Sequence, residues 1–134
     1  MKRVTQFMAV VALFATMAFA NDNTTRVEQA LENYTHSLKF ENAGVRHSSI
    51  FQVVKLNATN PEYKLSEVKA VIRKMAEKDE YALIRFHAKL AYTYLTDAEL
   101  AAKVSVEDYE NPMDFFIELH KVAQNKYEGS LATK

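Results

Sequence analysis

The sequence has no cysteine, and only two glycines and two prolines in 134 residues. Without cysteine there is no disulfide, no thiolate nucleophile and no thiolate metal ligand, so the chain must hold together by burial alone. Gly44 and Gly129 lie far apart, which excludes a glycine-rich phosphate loop. So little glycine and proline also leaves few residues for tight hairpin turns. Excess charge of either sign is missing too, since 17 basic residues face 17 acidic ones. That balance offers no basic footprint for nucleic acid or for an anionic membrane surface. The composition points to packed helices and away from a disordered tail.

What is present begins with a leader. Lys2 and Arg3 precede an almost wholly apolar run from Phe7 to Phe19, and Ala18-Phe19-Ala20 supplies a small-x-small cleavage pattern. The run is shorter than the roughly 20 residues a membrane span requires. The reading is a signal peptide over 1–20, cut between Ala20 and Asn21, with an anchored N-terminal helix as the alternative. The expected mature chain, 21–134, is one soluble domain, periplasmic or secreted, with no membrane association. Without Lys2 and Arg3 it has 15 basic and 17 acidic residues, a net charge near −2. Asn23, Asn33 and Asn57 begin Asn-x-Thr glycosylation patterns, which are read as unused.

Beyond the leader the apolar residues recur at helical spacing. Val27, Leu31, Tyr34 and Leu38 form a first stripe, and the break Glu41-Asn42-Ala43-Gly44 ends it, with Gly44 as the terminator. Val45, Ser49, Val53 and Leu56 follow on a second helix that stops before Pro61. Val68, Val71, Ile72 and Met75 mark a third helix. Asp79 is the expected N-cap of a fourth, which carries Ile84, Ala88, Ala91 and Leu95. Thr96 with Glu99 reads as a capping box for a short helix over about 97–104. Asn111-Pro112 starts the last helix, whose apolar face is Phe115, Phe116, Leu119, Val122 and Ala123, with Gly129 as its end. The fold class is all-α.

Two segments repeat. Val45-Arg46 and Ile84-Arg85 lie 39 residues apart, as do Leu56 and Leu95. LKFENAGVRHSSIFQVVKL and MAEKDEYALIRFHAKLAYTYL thereby resemble HEAT repeats, antiparallel helix pairs stacked as a solenoid. The resemblance implies a short HEAT-like superhelix, with hairpins at about 25–57 and 65–95 and a helical cap over 97–128. A helical bundle that only looks periodic is the alternative. The small residues Ser49 and Ala88, three after each Arg, let the paired helices approach closely. The resemblance also implies that Arg46 and Arg85 pair with acidic groups in the turns. Glu41 is the partner offered to Arg46 and Asp79 the partner offered to Arg85, each pair contributing about 0.2–1 kcal/mol if exposed. The second turn is expected to be a residue or two longer than the first.

For chemistry the sequence offers little. His36, His47, His87 and His120 include no pair at i, i+4 on one helix, and there is no H-E-x-x-H, so no metal or other cofactor is expected. His47 and His87 do occupy comparable parts of the two second helices. No G-x-S-x-G elbow is present, and Glu107-Asp108 reads as a solvated connector, so no catalytic residue is assigned. The site candidate is a stripe on the second helices, which line the concave partner-binding surface in the family. It comprises Ser48, Phe51 and Lys55 on one and His87, Leu90 and Tyr94 on the other. Left open, it suits an extended or helical peptide. The alternative is that the fifth and sixth helices cover it, because Phe115 and Phe116 need a surface to pack on. The functional expectation is an exported interaction module for a protein or peptide, with no catalysis. The second expectation is a helical bundle binding an apolar small molecule, marked by a closed cavity of Phe51, Tyr94, Phe115 and Phe116.

Overall fold

A computed structural model of the protein describes residues 22–132, so the expected cleavage site at Ala20 and Asn21 lies outside the described residues. The chain divides into two compact units at Glu32/Asn33. The described part of the first, 22–32, is helical. The second carries everything considered below. Its elements are the end of α1 (22–37), α2 (Ala43–Thr59), α3 (Ser66–Lys78), α4 (Ala82–Thr96), α5 (Ala98–Ala101), a 3-10 turn (Val106–Asp108) and α6 (Pro112–Ala132). The fold is all-α, and no strand occurs among the described residues. None of the described helices is long and apolar enough to cross a membrane.

α4 is the central helix, packed against α2, α3, α5 and α6. Its own sequence explains this, because Ile84, His87, Ala88, Leu90, Ala91, Tyr94 and Leu95 are all buried, leaving only a narrow exposed face. A helix apolar on most sides must be surrounded. α3 contributes a single stripe, Val68, Ile72 and Met75, at the expected four- and three-residue spacing. α2 turns Ile50, Phe51, Val53 and Val54 inward together with Arg46 and Ser49. Val45, placed on the apolar stripe by periodicity, is instead exposed.

The helix ends differ from expectation in four places, each for a local reason. α1 ends at residue 37, and α2 starts because the Asn42 side chain accepts from the amides of Gly44 and Val45, at 2.9 and 3.2 Å. Gly44 therefore lies inside α2, and neither it nor Gly129 has positive φ. α6 runs through Gly129 to Ala132. α5 is capped by Asp97, which accepts from the Leu100 amide at 3.0 Å, whereas the Thr96 hydroxyl donates back to the Tyr92 carbonyl. Asp79 precedes α4 by accepting from the Tyr81 amide at 3.1 Å, and Tyr81 itself holds the cap position. The Asn111 start of α6 is as expected, with its side chain accepting from the Met113 amide at 2.9 Å. Replacing the Asn42 cap, Asn42→Ala, is expected to cost about 0.5–2 kcal/mol, measured as a lower thermal midpoint.

Candidate functional site

The two second-helix arginines do the same thing 39 residues apart. Arg46 Nη1 donates to the carbonyls of Phe40 and Glu41, at 2.9 and 2.8 Å, six and five residues upstream. Arg85 Nη1 donates to the carbonyls of Asp79 and Glu80, again six and five residues upstream. Each Arg thus folds the turn before its helix back onto itself. This answers why a cation sits near a helix N-terminus, where the dipole disfavours it. Hydrogen bonds to carbonyls that the turn leaves unpaired offset that cost.

Arg46 goes further. Its Nε and Nη2 grip both oxygens of Asp79, at 2.9 and 3.1 Å, with side chains only 10% and 5% exposed. The guanidinium is held above its ordinary pKa first by the hydrogen bond to Asp79. Burial pushes the Asp79 carboxyl up, but Arg46, the Tyr81 amide and the charge of Arg85 outweigh it and hold it below the usual range. The expected pairing is corrected here. Arg46 takes the backbone oxygen of Glu41, not its carboxylate, and its ion-pair partners are Asp79 and, more loosely at 3.5 Å, Glu80 of the other turn. Arg85 takes the Asp79 carbonyl. The turn lengths also reverse, since five residues (38–42) separate the first helix pair and three (79–81) the second.

The second-helix stripe is covered. Phe51, His87, Leu90 and Tyr94 are buried, Ser48 is exposed, and Lys55 is half-buried with its ammonium 4.9 Å from the Phe51 ring centre. α6 supplies the cover. Phe115 packs at 5.5 Å on Phe51 and 5.6 Å on Tyr94, and Phe116 at 5.2 Å on Phe115. The four aromatics pack directly on one another. Farther along α6, Lys126 meets Asp97 at 2.8 Å and Glu99 at 3.0 Å, so the same aspartate caps α5 and anchors α6.

Two histidines meet under this cover. His47 Nε2 of α2 contacts His87 Nδ1 of α4, and their rings stack with centres 4.8 Å apart. Phe116 lies flat on the His87 ring, 4.2 Å away at an interplanar angle of 11°. Burial lowers the pKa of both imidazoles. That of His87 falls to about 4, through burial first and then the neighbouring His47. Sequence spacing placed these residues in comparable helix segments, but their offset of 40, against a repeat of 39, concealed the contact. Across the described residues, no three of His, Cys, Asp or Glu converge as a metal-ligand group.

An open, largely apolar groove lies beside the cover. Phe86, Lys89, Leu90 and Thr93 of α4 and His120, Ala123, Gln124 and Tyr127 of α6 line a groove of about 380 Å³. Phe86 is 41% and Tyr127 49% exposed, and Phe86 meets the His120 ring edge-on at 5.1 Å. Leu83, three residues before Phe86, and Ile117, three before His120, are also exposed, so apolar surface continues along both helices. Sequence reading missed this groove because it assigned the α6 face by its buried residues alone. The signal available was Phe86, apolar yet off the Ile84–Leu95 stripe. No protein family, no curated protein and no solved structure matches this chain.

Proposed function

We propose that the protein is an exported helical-repeat interaction module that binds a protein or peptide in the α4–α6 groove and performs no chemistry. The observation that carries this reading is the groove itself, open and lined by exposed Phe86 and Tyr127 between two packed helices. Exposed aromatics in a preformed cleft supply large contact area at small conformational cost, which is the character of binding hot spots. The matching carbonyl grips of Arg46 and Arg85 support the HEAT-like reading of the hairpins. The binding surface in this proposal is displaced from the second-helix stripe to its edge, because α6 occupies the stripe.

The second reading, an apolar small molecule in the same groove, is favoured by one observation. Its volume falls within the roughly 300–1,000 Å³ of ordinary ligand sites. The test is a pull-down from the exported fraction with the protein and with a Phe86→Ala, Tyr127→Ala variant. Both side chains are exposed, so helicity and thermal midpoint should stay near those of the parent. Partner recovery is expected to fall at least about tenfold, the loss typical of truncated hot-spot aromatics. Equal recovery of that partner by the variant would reject the groove. Loss of a co-purified small molecule, with no protein partner in either sample, would move the assignment to the second reading.

A further inference from the structure

We propose that the His47–His87 pair is an acid-released latch that seats the start of α6 on α2 and α4. The pair joins three helices at one point. His47 comes from α2, His87 from α4, and Phe116 of α6 stacks on His87 while lying 6.2 Å from His47. One neutral imidazole can donate a hydrogen bond to the other only while the acceptor nitrogen is unprotonated. Protonating both removes the acceptor and sets two like charges against each other in a partly buried site, with His87 buried and His47 half-buried. The flat face of Phe116 offers partial compensation for one cation but cannot separate two.

Among the described residues, no carboxylate acts on either imidazole; the 3-10 turn packed on α2 carries Glu107 and Asp108, and the charge of Glu107 acts on Tyr94. On α2 the neighbouring Arg46 is turned to Asp79 and Glu80. Arg85 of α4 is turned to the carbonyls of Asp79 and Glu80. On α6, His120 faces Phe86. The electrostatic influence on His87 comes from His47, and burial alone acts on His47. Both imidazoles are therefore easier to protonate once α6 has lifted. The sign follows directly. The folded-state values lie below the ordinary 6.5, so seating is complete above that pH and is lost as pH falls from 6.5 toward 4. Over that window each pH unit shifts the seated-to-released ratio by up to about tenfold for His87. Release uncovers Phe51, Leu90 and Tyr94, so acid would present the apolar second-helix face that α6 occupies at neutral pH.

The experiment titrates the intact chain, as recovered from expressing cells, from pH 7.5 to 4 in the presence of an apolar fluorescent dye. Far-UV circular dichroism follows helicity in parallel. The latch predicts a dye-fluorescence rise below pH 6.5 while most helicity persists. It also predicts that His87→Phe, which keeps a flat ring for Phe116 but cannot titrate, moves the rise to lower pH by about one unit or abolishes it. No rise in the parent protein overturns the proposal, as does an unchanged midpoint in His87→Phe. Should that variant fail to fold, His47→Gln decides by the same two criteria, because it removes the second charge and leaves the His87–Phe116 stack in place.

Discussion

Asp79→Ala is expected to lower stability by about 3–5 kcal/mol, read as a shift in the urea midpoint at unchanged slope. The size comes from what the substitution leaves behind. Arg46 would keep its charge in a site where its side chain is 10% exposed, offset by the Phe40 and Glu41 carbonyls, the Tyr81 ring 5.9 Å away and the Glu80 carboxylate, which is 3.5 Å away but 70% exposed. The Tyr81 amide would also lose its acceptor at the start of α4. Asp79→Asn keeps an oxygen for that amide but not the charge, and should fall between the two proteins. Arg46→Lys should not preserve stability, because an ammonium cannot address two carboxylate oxygens and two carbonyls from one planar fork. Glu80→Gln, altering the exposed member, should stay within about 0.5 kcal/mol of the parent. The pH profile gives an independent check. Because the folded protein holds the Asp79 carboxyl below its ordinary value, its contribution is fully present above about pH 4 and is lost progressively as pH falls below that, through the lower folded-state value. Asp79→Asn should flatten the acid limb there. A loss under about 1 kcal/mol in Asp79→Ala would mean that water reaches the pair and that the turns are not locked through it.

That lock shows what sequence can and cannot disclose. The Val45-Arg46 and Ile84-Arg85 repeat was legible, because a spacing of 39 residues needs no structure to see. The acceptors were not. Charge patterning compares side chains, and Arg46 and Arg85 spend Nη1 on backbone oxygens that every sequence possesses. The helix ends failed for a related reason. The positions of Gly44 and Gly129 in the sequence suggest terminators, yet a glycine ends a helix only where the chain needs a left-handed residue, and neither position requires one. Asn42 fixes the start of α2 by two hydrogen bonds, which places Gly44 within its first turn. The candidate site was half legible. Periodicity identified Phe51, Leu90 and Tyr94 as one face and Phe115 and Phe116 as another, but an apolar stripe looks the same whether solvent, a partner or the chain's own helix covers it. The His47–His87 contact needed the helices to be set side by side with a stagger of one residue.

Phe115→Ala is the second large effect, expected at about 3–5 kcal/mol. Phe115 has no exposed surface, and its ring meets Phe51, Tyr94, Tyr109 and Phe116, all with centres within 5.9 Å. Truncation removes the hydrophobic contribution of the ring and leaves a cavity walled by other rings, which cannot all close inward at once. Phe116→Ala should cost less at neutral pH, because two of its neighbours are imidazoles that accept water when the ring is gone. The order Phe115 above Phe116 is the specific content of the prediction, since the two residues are adjacent in sequence and equally apolar. A double-mutant cycle of Phe115→Leu with Phe51→Leu should show a coupling of about 0.5–1.5 kcal/mol, the contribution of an aromatic pair beyond its buried area. Coupling near zero would mean that α6 rests on α2 without interlocking. The two truncations also separate packing from titration. Phe115→Ala weakens α6 at every pH, so its acid transition should begin from a less stable state but keep its dependence on His47 and His87. Phe116→Ala opens the histidine pair to water, so the pH dependence itself should diminish. If both variants instead lose the pH dependence alike, α6 is held as one unit by its aromatic contacts, and the imidazoles report on its seating without controlling it.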